Sequence, residues 1–176
     1  MKVFINAGHG GHDSGAVSPH GNKECDIARK VSLILFERLK LNGYPTEFYQ
    51  EQHSLYEVSQ HENKSGATTF ISIHCNAFAN GSANGTEVLY HPASTRGKQI
   101  ANVMQQQLIK GVNLRDRGIK PRKDLHVLNR TKAAAVLIEL AFLSNEHEEY
   151  LLVNKPEIFA NAIWEGIKIC KNNNIL

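Results

Sequence analysis

Apolar residues recur along this chain in two patterns, as short continuous runs and as longer segments with helical spacing. Residues 24–41 show the helical spacing, and Asn42-Gly43 ends that segment as a helix C-cap does. The patterns predict helices over 24–41, 55–66, 94–110 and from Pro156 onward, and strands over 2–5, 45–49, 69–74, 86–91, near Val127-Leu128 and over 135–139. Repeated strand–helix units predict an α/β fold, a single domain with a mostly parallel twisted sheet of about six strands and helices on both faces.

Side chains capable of chemistry follow three of these predicted strands. The first strand runs into the glycine-rich segment 6–15, which presents His9, and glycine allows the backbone to turn sharply there. The strand at 69–73 stops at His74, and the strand at 135–138 stops at Glu139. Because open α/β sheets place their sites at the carboxyl ends of the strands, we expect one shared site.

A zinc ion accounts best for this set of side chains. A catalytic zinc takes three nitrogen or oxygen ligands and keeps a fourth position for water, and two histidines with one glutamate are a common set in hydrolases. His9 and His74 supply the nitrogens, and Glu24 supplies the carboxylate from the first turn of the helix after the His9 loop. Three neighbouring side chains are alternatives to Glu24: His12, Asp13 and Asp26. Glu139 is then left as the general base.

Each of these features also has a simpler interpretation. Glycine-rich turns such as residues 8–11 bind phosphate in other folds, but no Lys-Ser/Thr pair or spaced glycine motif accompanies this one. A lone histidine at the end of a strand is often a buried structural residue, and Glu139 alone resembles a helix cap. Cys75 beside His74 suggests a Cys-His nucleophile, but adjacent strand residues point to opposite faces. The occurrence of all these residues together favours the metal site.

In this order and spacing, the motifs resemble those of a known family. They are Gly8-His9-Gly10-Gly11-x-Asp13-x-Gly15-Ala16, Glu24, Phe70-Ile71-Ser72-Ile73-His74-Cys75-Asn76-Ala77, Arg117-Gly118 and Ile138-Glu139-x-x-Phe142-Leu143-Ser144-Asn145. Across essentially the whole chain they resemble the zinc-dependent N-acetylmuramoyl-L-alanine amidases of type 3. The resemblance implies hydrolysis of the amide between the lactyl group of N-acetylmuramic acid and the L-alanine of the peptidoglycan stem peptide. It also implies His9, Glu24 and His74 as zinc ligands and Glu139 as the catalytic glutamate.

Two further residues are candidates for substrate binding. Asn76 lies two residues beyond His74 and is placed to bind substrate or the ligand loop. Arg117 lies in a predicted loop before the basic residues 120–123, and arginine binds carboxylates bidentately, so we expect it to hold a stem-peptide carboxylate. A solvated charged loop is the alternative. The remaining histidines fall in predicted loops or exposed helix faces, where most are expected to be solvated: His20, His53, His61, His91, His126 and His147.

Composition narrows the functional classes. The net charge of +3 is too small to indicate nucleic-acid binding, although it suits an anionic cell wall. No run approaches the ~20 apolar residues of a membrane span, so no membrane insertion is expected. The three cysteines are widely spaced and odd in number, which does not indicate a disulfide framework.

Two other functional classes compete with the amidase, and the cellular setting is an expectation as well. The competitors are a non-catalytic cell-wall-binding module and a zinc peptidase acting on the stem peptide.

The first strand starts at residue 2, so we expect no signal peptide, synthesis in the cytoplasm and action at the cell wall after lysis or release, as for an endolysin or autolysin. We take residues 1–176 as one catalytic domain, in which Asn172-Asn173-Asn174 is a candidate linker to a wall-binding domain outside this chain.

Overall fold

The computed structural model describes residues 1–50 and 54–176, which form a six-stranded sheet with helices on both faces. The strands are β1 (Val3–Ala7), β2 (Thr46–Gln50), β3 (Thr69–Asn76), β4 (Thr86–Tyr90), β5 (Asp116–Pro121) and β6 (Ala134–Phe142). The helices are α1 (Glu24–Leu41), α2 (Leu55–Ser65), α3 (Thr95–Val112), α4 (His126–Arg130), α5 (Glu146–Asn154) and α6 (Pro156–Asn172). His53, one of the histidines expected to be solvated, lies outside the described residues.

The sheet is parallel except at one junction. Its strand order is β2-β1-β3-β6-β4-β5, and among the strands that the structure describes only β4 and β6 pair in antiparallel fashion. The predicted α/β class, the mostly parallel sheet of about six strands and the helices on both faces are confirmed. The antiparallel junction reverses β4 and β5 relative to β6, so the first residues of β4 lie beside the last residues of β6.

The two faces of the sheet carry unequal helical layers. Helices α1, α3 and α6 cover one face and form the larger core with strand residues such as Ile5, Ile73 and Ile138. The short helices α2 and α4 cover the other face around Phe70 and Leu137. Because strand side chains alternate between faces, His74 shares a face with Phe70, and Glu139 shares a face with Leu137. His74 and Glu139 therefore lie on the face with the smaller layer.

Two of the predicted elements are wrong. Val127 and Leu128 lie in helix α4 and not in a strand, and both are buried against the cluster around Phe70. An apolar pair this short has no period, so it fits a helix or a strand equally well. Arg117 lies in strand β5 and not in a loop. That strand is at the edge of the sheet and contains Gly118 and Pro121, which hide the alternating pattern of a strand.

One helix was not predicted at all. Helix α5 follows β6 directly, and the Asn145 side chain caps it by accepting a hydrogen bond from the Glu148 backbone amide. The Glu148 carboxylate turns back to accept hydrogen bonds from the backbone amides of Gly85 and Phe142, both at 2.7 Å. It thereby ties the start of β4 to the end of β6.

Within the described ranges, none of the helices has the length and apolar character needed to cross a membrane.

Candidate metal centre

The end of β1 and the loop after it bring His9 against His74. His9 itself has a left-handed backbone with φ of 57°. A Cβ on Gly8 would lie 2.3 Å from Cε1 of His74, and a Cβ on Gly15 would lie 2.6 Å from both Glu24 and His9. Only glycine permits this approach of the loop to the side chains. The glycine-rich segment is therefore shaped around the two imidazoles and Glu24.

Three predicted ligands converge at this point. His9, Glu24 and His74 offer one ligand atom each, and these atoms lie within 4.8 Å of one another. Oε1 of Glu24 is 3.2 Å from Nε2 of His9 and 3.0 Å from Nδ1 of His74. The two rings meet edge to face with centroids 5.0 Å apart. Helix α1 holds Glu24 in its first turn, where the residue is buried.

Neighbouring groups fix the orientation of two of the predicted ligands. Nδ1 of His9 lies 2.7 Å from Oδ2 of Asp13, so Nδ1–H is donated to this carboxylate and Nε2 is the nitrogen left for a metal. Oε2 of Glu24 accepts a hydrogen bond from the Ala16 backbone amide, and Oε1 accepts one from the Cys75 amide. These contacts hold the ligand atoms towards a common centre.

The charges in this cluster are strongly coupled. Hydrogen bonding to Glu24 raises the pKa of His9 to about 9, against the opposing effect of burial and with support from Asp13. Burial raises the pKa of Glu24, but the hydrogen bonds from His74 and His9 outweigh it and leave that pKa well below its usual range. The carboxylate is therefore ionised, as a metal ligand must be, and a bound metal ion would replace the protons that the histidine nitrogens share with it.

The residues present fit a zinc ion. Ligand atoms around a tetrahedral zinc with bonds of about 2.0–2.1 Å are separated by roughly 3.3–3.4 Å. The two separations from Glu24 Oε1 to the histidine nitrogens, 3.2 and 3.0 Å, lie close to that value. Two neutral imidazoles and one carboxylate also form a donor set that zinc accepts, with one further position for water or substrate.

Glu139 lies beside this centre on the next strand. It is the register partner of His74 in the parallel pair of β3 and β6. Its Oε2 atom is buried and has no hydrogen-bond partner among the described residues. Burial raises the pKa of this carboxyl to about 7, and the negative charges of Glu24 and Glu87 act in the same direction against nearby His74. A carboxyl of this kind exchanges protons near neutral pH.

The two predicted substrate residues share one partner. The Asn76 amide donates to Oε1 of Glu87 at 3.3 Å, and Nε of Arg117 donates to Oε2 of the same carboxylate at 2.8 Å. The Arg117 guanidinium also lies over the Phe142 ring, 4.8 Å from its centroid. Glu87 is not among the site residues predicted from the sequence. The feature that could have indicated Glu87 is a charged residue within a predicted strand. The structure buries all five residues of that strand, Thr86–Tyr90.

The other candidates lie away from the ligand atoms. His12 and Asp26 are exposed and are outside the metal-ligating group, and Asp13 contacts His9 without joining that group. Four of the remaining histidines have protein partners: His20 is paired with Glu149, His61 stacks on Tyr49, His126 bonds to Ser59, and Nδ1 of His91 accepts a hydrogen bond from the Ala93 amide. Cys75 packs into the core on the face opposite His74, as strand alternation predicted.

Comparison with known proteins shows the same architecture and sequence pattern. A family profile described as N-acetylmuramoyl-L-alanine amidase matches residues 3–169. The uncharacterised protein YqiI of Bacillus subtilis is 35% identical over 94% of this chain and 82% of its own length. The amidase LytC of the same organism is 30% identical over 93% of this chain, which spans only 34% of LytC. The endolysin of Bacillus phage SPP1 is 35% identical, and the chain spans 62% of it.

Solved structures give the same result. An N-acetylmuramoyl-L-alanine amidase from Clostridium difficile 630 superposes with a TM-score of 0.90 at 30% identity, over 97% of this chain and 96% of its own. The catalytic domain of the amidase CwlV from Bacillus (Paenibacillus) polymyxa superposes with a TM-score of 0.85 at 32% identity, over 99% of both chains.

Proposed function

The chain belongs to the N-acetylmuramoyl-L-alanine amidase family, and on that premise we propose that it is a zinc-dependent peptidoglycan hydrolase. It cleaves the amide between the lactyl group of N-acetylmuramic acid and the L-alanine of the stem peptide. The observation that carries the proposal is the convergence of His9, Glu24 and His74 beside the buried, unpartnered Oε2 atom of Glu139.

We assign the zinc ligands to Nε2 of His9, Nδ1 of His74 and Oε1 of Glu24. When bound, zinc acidifies a water molecule and polarises the carbonyl of the scissile amide. Asp13 holds the imidazole of His9 in the tautomer that leaves Nε2 free. The hydrogen bonds from Ala16 and Cys75 keep the Glu24 carboxylate in place as a ligand.

Glu139 acts as general base and then as general acid in this mechanism. Its carboxylate takes a proton from the attacking water and later gives it to the departing amine of L-alanine. The same group serves in both directions because its pKa of about 7 lies close to neutral pH. Burial against the sheet excludes the bulk water that would otherwise stabilise the charged carboxylate at lower pH.

On the substrate side we propose that Asn76 and Arg117 contact the stem peptide. Both donate hydrogen bonds to the carboxylate of Glu87, which is the register partner of Glu139. The cell wall is the site of action that this substrate requires. A wall-binding domain in a longer protein is a further proposal, supported by the much greater length of LytC.

Two other functions use a similar set of residues. A zinc peptidase would cut within the stem peptide, and a wall-binding module would cut nothing. Digestion of purified cell walls followed by mass spectrometry separates the three. We expect new free L-alanine amines, which define the amidase. Free diamino-acid or D-alanine amines would instead establish a peptidase, release of reducing sugar ends would establish a glycosidase, and unchanged walls would establish a binder.

A further inference from the structure

A charged cluster adjoins the catalytic glutamate on the reversed part of the sheet. The Glu87 carboxylate accepts hydrogen bonds from Nε of Arg117 at 2.8 Å and from Nζ of Lys120 at 2.6 Å. Glu87 is buried, at 7% exposure, whereas the side chains of Arg117 and Lys120 are 26% and 41% exposed. One buried anion therefore holds two cations at the surface of the site, and the cluster carries a net positive charge.

The sheet places this cluster next to Glu139. Glu87 is the register partner of Glu139 in the antiparallel pair of β4 and β6, so both side chains project from the same face. Lys120 is the partner of Leu89, which lies on that face as well. Neighbouring strands are about 4.8 Å apart, so the cations lie within roughly 10 Å of Glu139.

Both cations keep hydrogen-bond donors for a ligand. Arg117 uses Nε for Glu87 and Nη1 for the carbonyl oxygen of Asn84, and Nη2 has no partner among the described residues. The ammonium of Lys120 has three N–H donors, and one of them forms the hydrogen bond to Glu87. The Phe142 ring lies against the guanidinium and limits its movement. The donors are therefore held in place before any substrate arrives.

We propose that Arg117 and Lys120 form a subsite for a carboxylate of the stem peptide, with Glu87 as the residue that positions both cations. The inference rests on the proposed function and deepens it. A peptide extends about 3.3–3.6 Å per residue, so the second stem residue lies roughly 7 Å from the scissile amide. That span falls within the roughly 10 Å that two strand spacings set between Glu139 and the cations. The subsite therefore binds the α-carboxylate of the second stem residue and distinguishes it from a carboxamide.

The chemistry of the cluster favours a carboxylate over a neutral group. Hydrogen bonds between charged groups are about twice as strong as neutral ones, and an arginine offers them in the planar geometry that a carboxylate accepts. A carboxamide presents its own N–H groups to the cations and gains no charge interaction. We expect kcat/KM to differ by about tenfold or more between substrates that differ only in this group.

The test combines enzyme variants with a matched pair of substrates. Two soluble muropeptides carry the same complete stem peptide, with either a free α-carboxylate or a carboxamide on the second residue. We compare kcat and KM on both for the zinc-loaded wild type, Arg117→Met, Lys120→Met and Lys168→Met. Lys168 is a matched control because it makes a 2.7 Å ion pair at 38% exposure, on helix α6 of the opposite face.

The proposal predicts a wild-type preference for the carboxylate that appears mainly in KM. Arg117→Met and Lys120→Met each lower that preference several-fold by weakening the carboxylate substrate alone, and Lys168→Met leaves it unchanged. Equal kcat/KM of the wild type on both muropeptides, or a preference that survives both substitutions, overturns the subsite while leaving the amidase assignment intact. Cleavage of neither muropeptide overturns the proposed function and the subsite with it.

Glu87→Gln tests the positioning role separately. Glutamine keeps the shape of glutamate and one acceptor but removes the charge that both cations share. If Glu87 positions them, the carboxylate preference falls while bound zinc is retained. If Glu87 merely neutralises them, its removal frees positive charge and the preference rises, which overturns the positioning role. Bound zinc and a melting temperature, measured on the same sample, show that the variant is folded and loaded.

Discussion

At the scale of single residues, the site depends on which atom of each side chain faces the centre. His9 presents Nε2 because Asp13 occupies Nδ1, and His74 presents Nδ1 towards the same carboxylate oxygen. Asp13 is exposed and lies outside the metal-ligating group, yet it contacts Nδ1 of His9, a proposed ligand. We therefore propose that Asp13 contributes to the affinity of the site for its metal.

Asp13→Ala should therefore weaken zinc binding without abolishing it. Removing an outer partner of a metal-bound histidine lowers metal affinity by about 10–100-fold. A competition titration with a zinc chelator measures the change. Asp26→Ala is the control, since Asp26 is another exposed acid close to Glu24 in sequence that makes no contact with a ligand nitrogen. Equal zinc affinity of wild type and Asp13→Ala would show that His9 needs no partner.

Substitution at a ligand should act on metal and activity together. Glu24→Gln removes the charge that faces both histidines, so we expect loss of stoichiometric zinc and of wall hydrolysis. Metal analysis by mass spectrometry and the release of L-alanine amines measure the two effects. The same loss is expected for His9→Ala and His74→Ala. A Glu24→Gln protein that keeps one zinc and full activity would show that Glu24 is not a ligand.

Glu139 should behave differently from the ligands. Glu139→Gln keeps the shape of the side chain and removes its ability to exchange a proton, so zinc remains and kcat falls by about 10²–10⁴-fold. Glu37→Gln, at an exposed position of helix α1, serves as the control. Loss of zinc in Glu139→Gln would make Glu139 a ligand, and full activity would remove it from the mechanism.

At the scale of elements, the turn after β1 and the reversal of β4 build the site. Gly8 leaves no room for a side chain because a Cβ there would lie 2.3 Å from the His74 ring. The antiparallel pairing of β4 with β6 brings Glu87 alongside Glu139. A parallel β4 would place its first residues at the opposite edge of the sheet, far from the ligands.

Gly8→Ala should displace His74 and reduce zinc affinity although the fold persists. The added methyl group meets the imidazole and not open space, so the ring must rotate away from Glu24. Gly66→Ala is the matched control: it has φ of 70° and open space around it, and costs about 1–2 kcal/mol of stability without affecting the metal. Zinc titration and thermal unfolding distinguish the two. Unchanged zinc affinity in Gly8→Ala would contradict the proposed packing.

At the scale of the whole molecule, the charges on the sheet make stability depend on pH. Burial raises the pKa of Glu87, but hydrogen bonds from Lys120 and Arg117 outweigh it and leave the pKa below its usual value of 4.5. A carboxyl with a lowered pKa in the folded state stabilises the fold above its unfolded pKa. That stabilisation is lost as pH falls through the folded pKa.

Glu87→Gln should therefore be less stable than the wild type at neutral pH. The difference should shrink as the pH falls below about 4.5, because protonated glutamate resembles glutamine. Chemical denaturation of both proteins between neutral pH and pH 3 measures the difference in unfolding free energy. Loss of metal at low pH affects both proteins, so their difference isolates Glu87. A difference that stays constant across this range would show that its ionisation does not stabilise the fold.

The sequence by itself determined the parts of the site that depend on local pattern. Continuous apolar runs specify the strands β1, β3 and β6, and the carboxyl ends of neighbouring parallel strands must share one edge of the sheet. The positions of His9, His74 and Glu139 follow from these two facts. The helical spacing in residues 24–41 likewise matches α1 at both ends.

Only the tertiary structure selected among the remaining polar groups. Glu24, Asp13, His12 and Asp26 lie close together in sequence, but the direction of the loop brings Glu24 alone to both histidine nitrogens. Strand β5 was missed because an edge strand with glycine and proline lacks a buried, alternating pattern. The Glu87 cluster joins residues about 30 apart through strand register. Such contacts depend on how distant segments pair, and no local pattern in the sequence specifies that pairing.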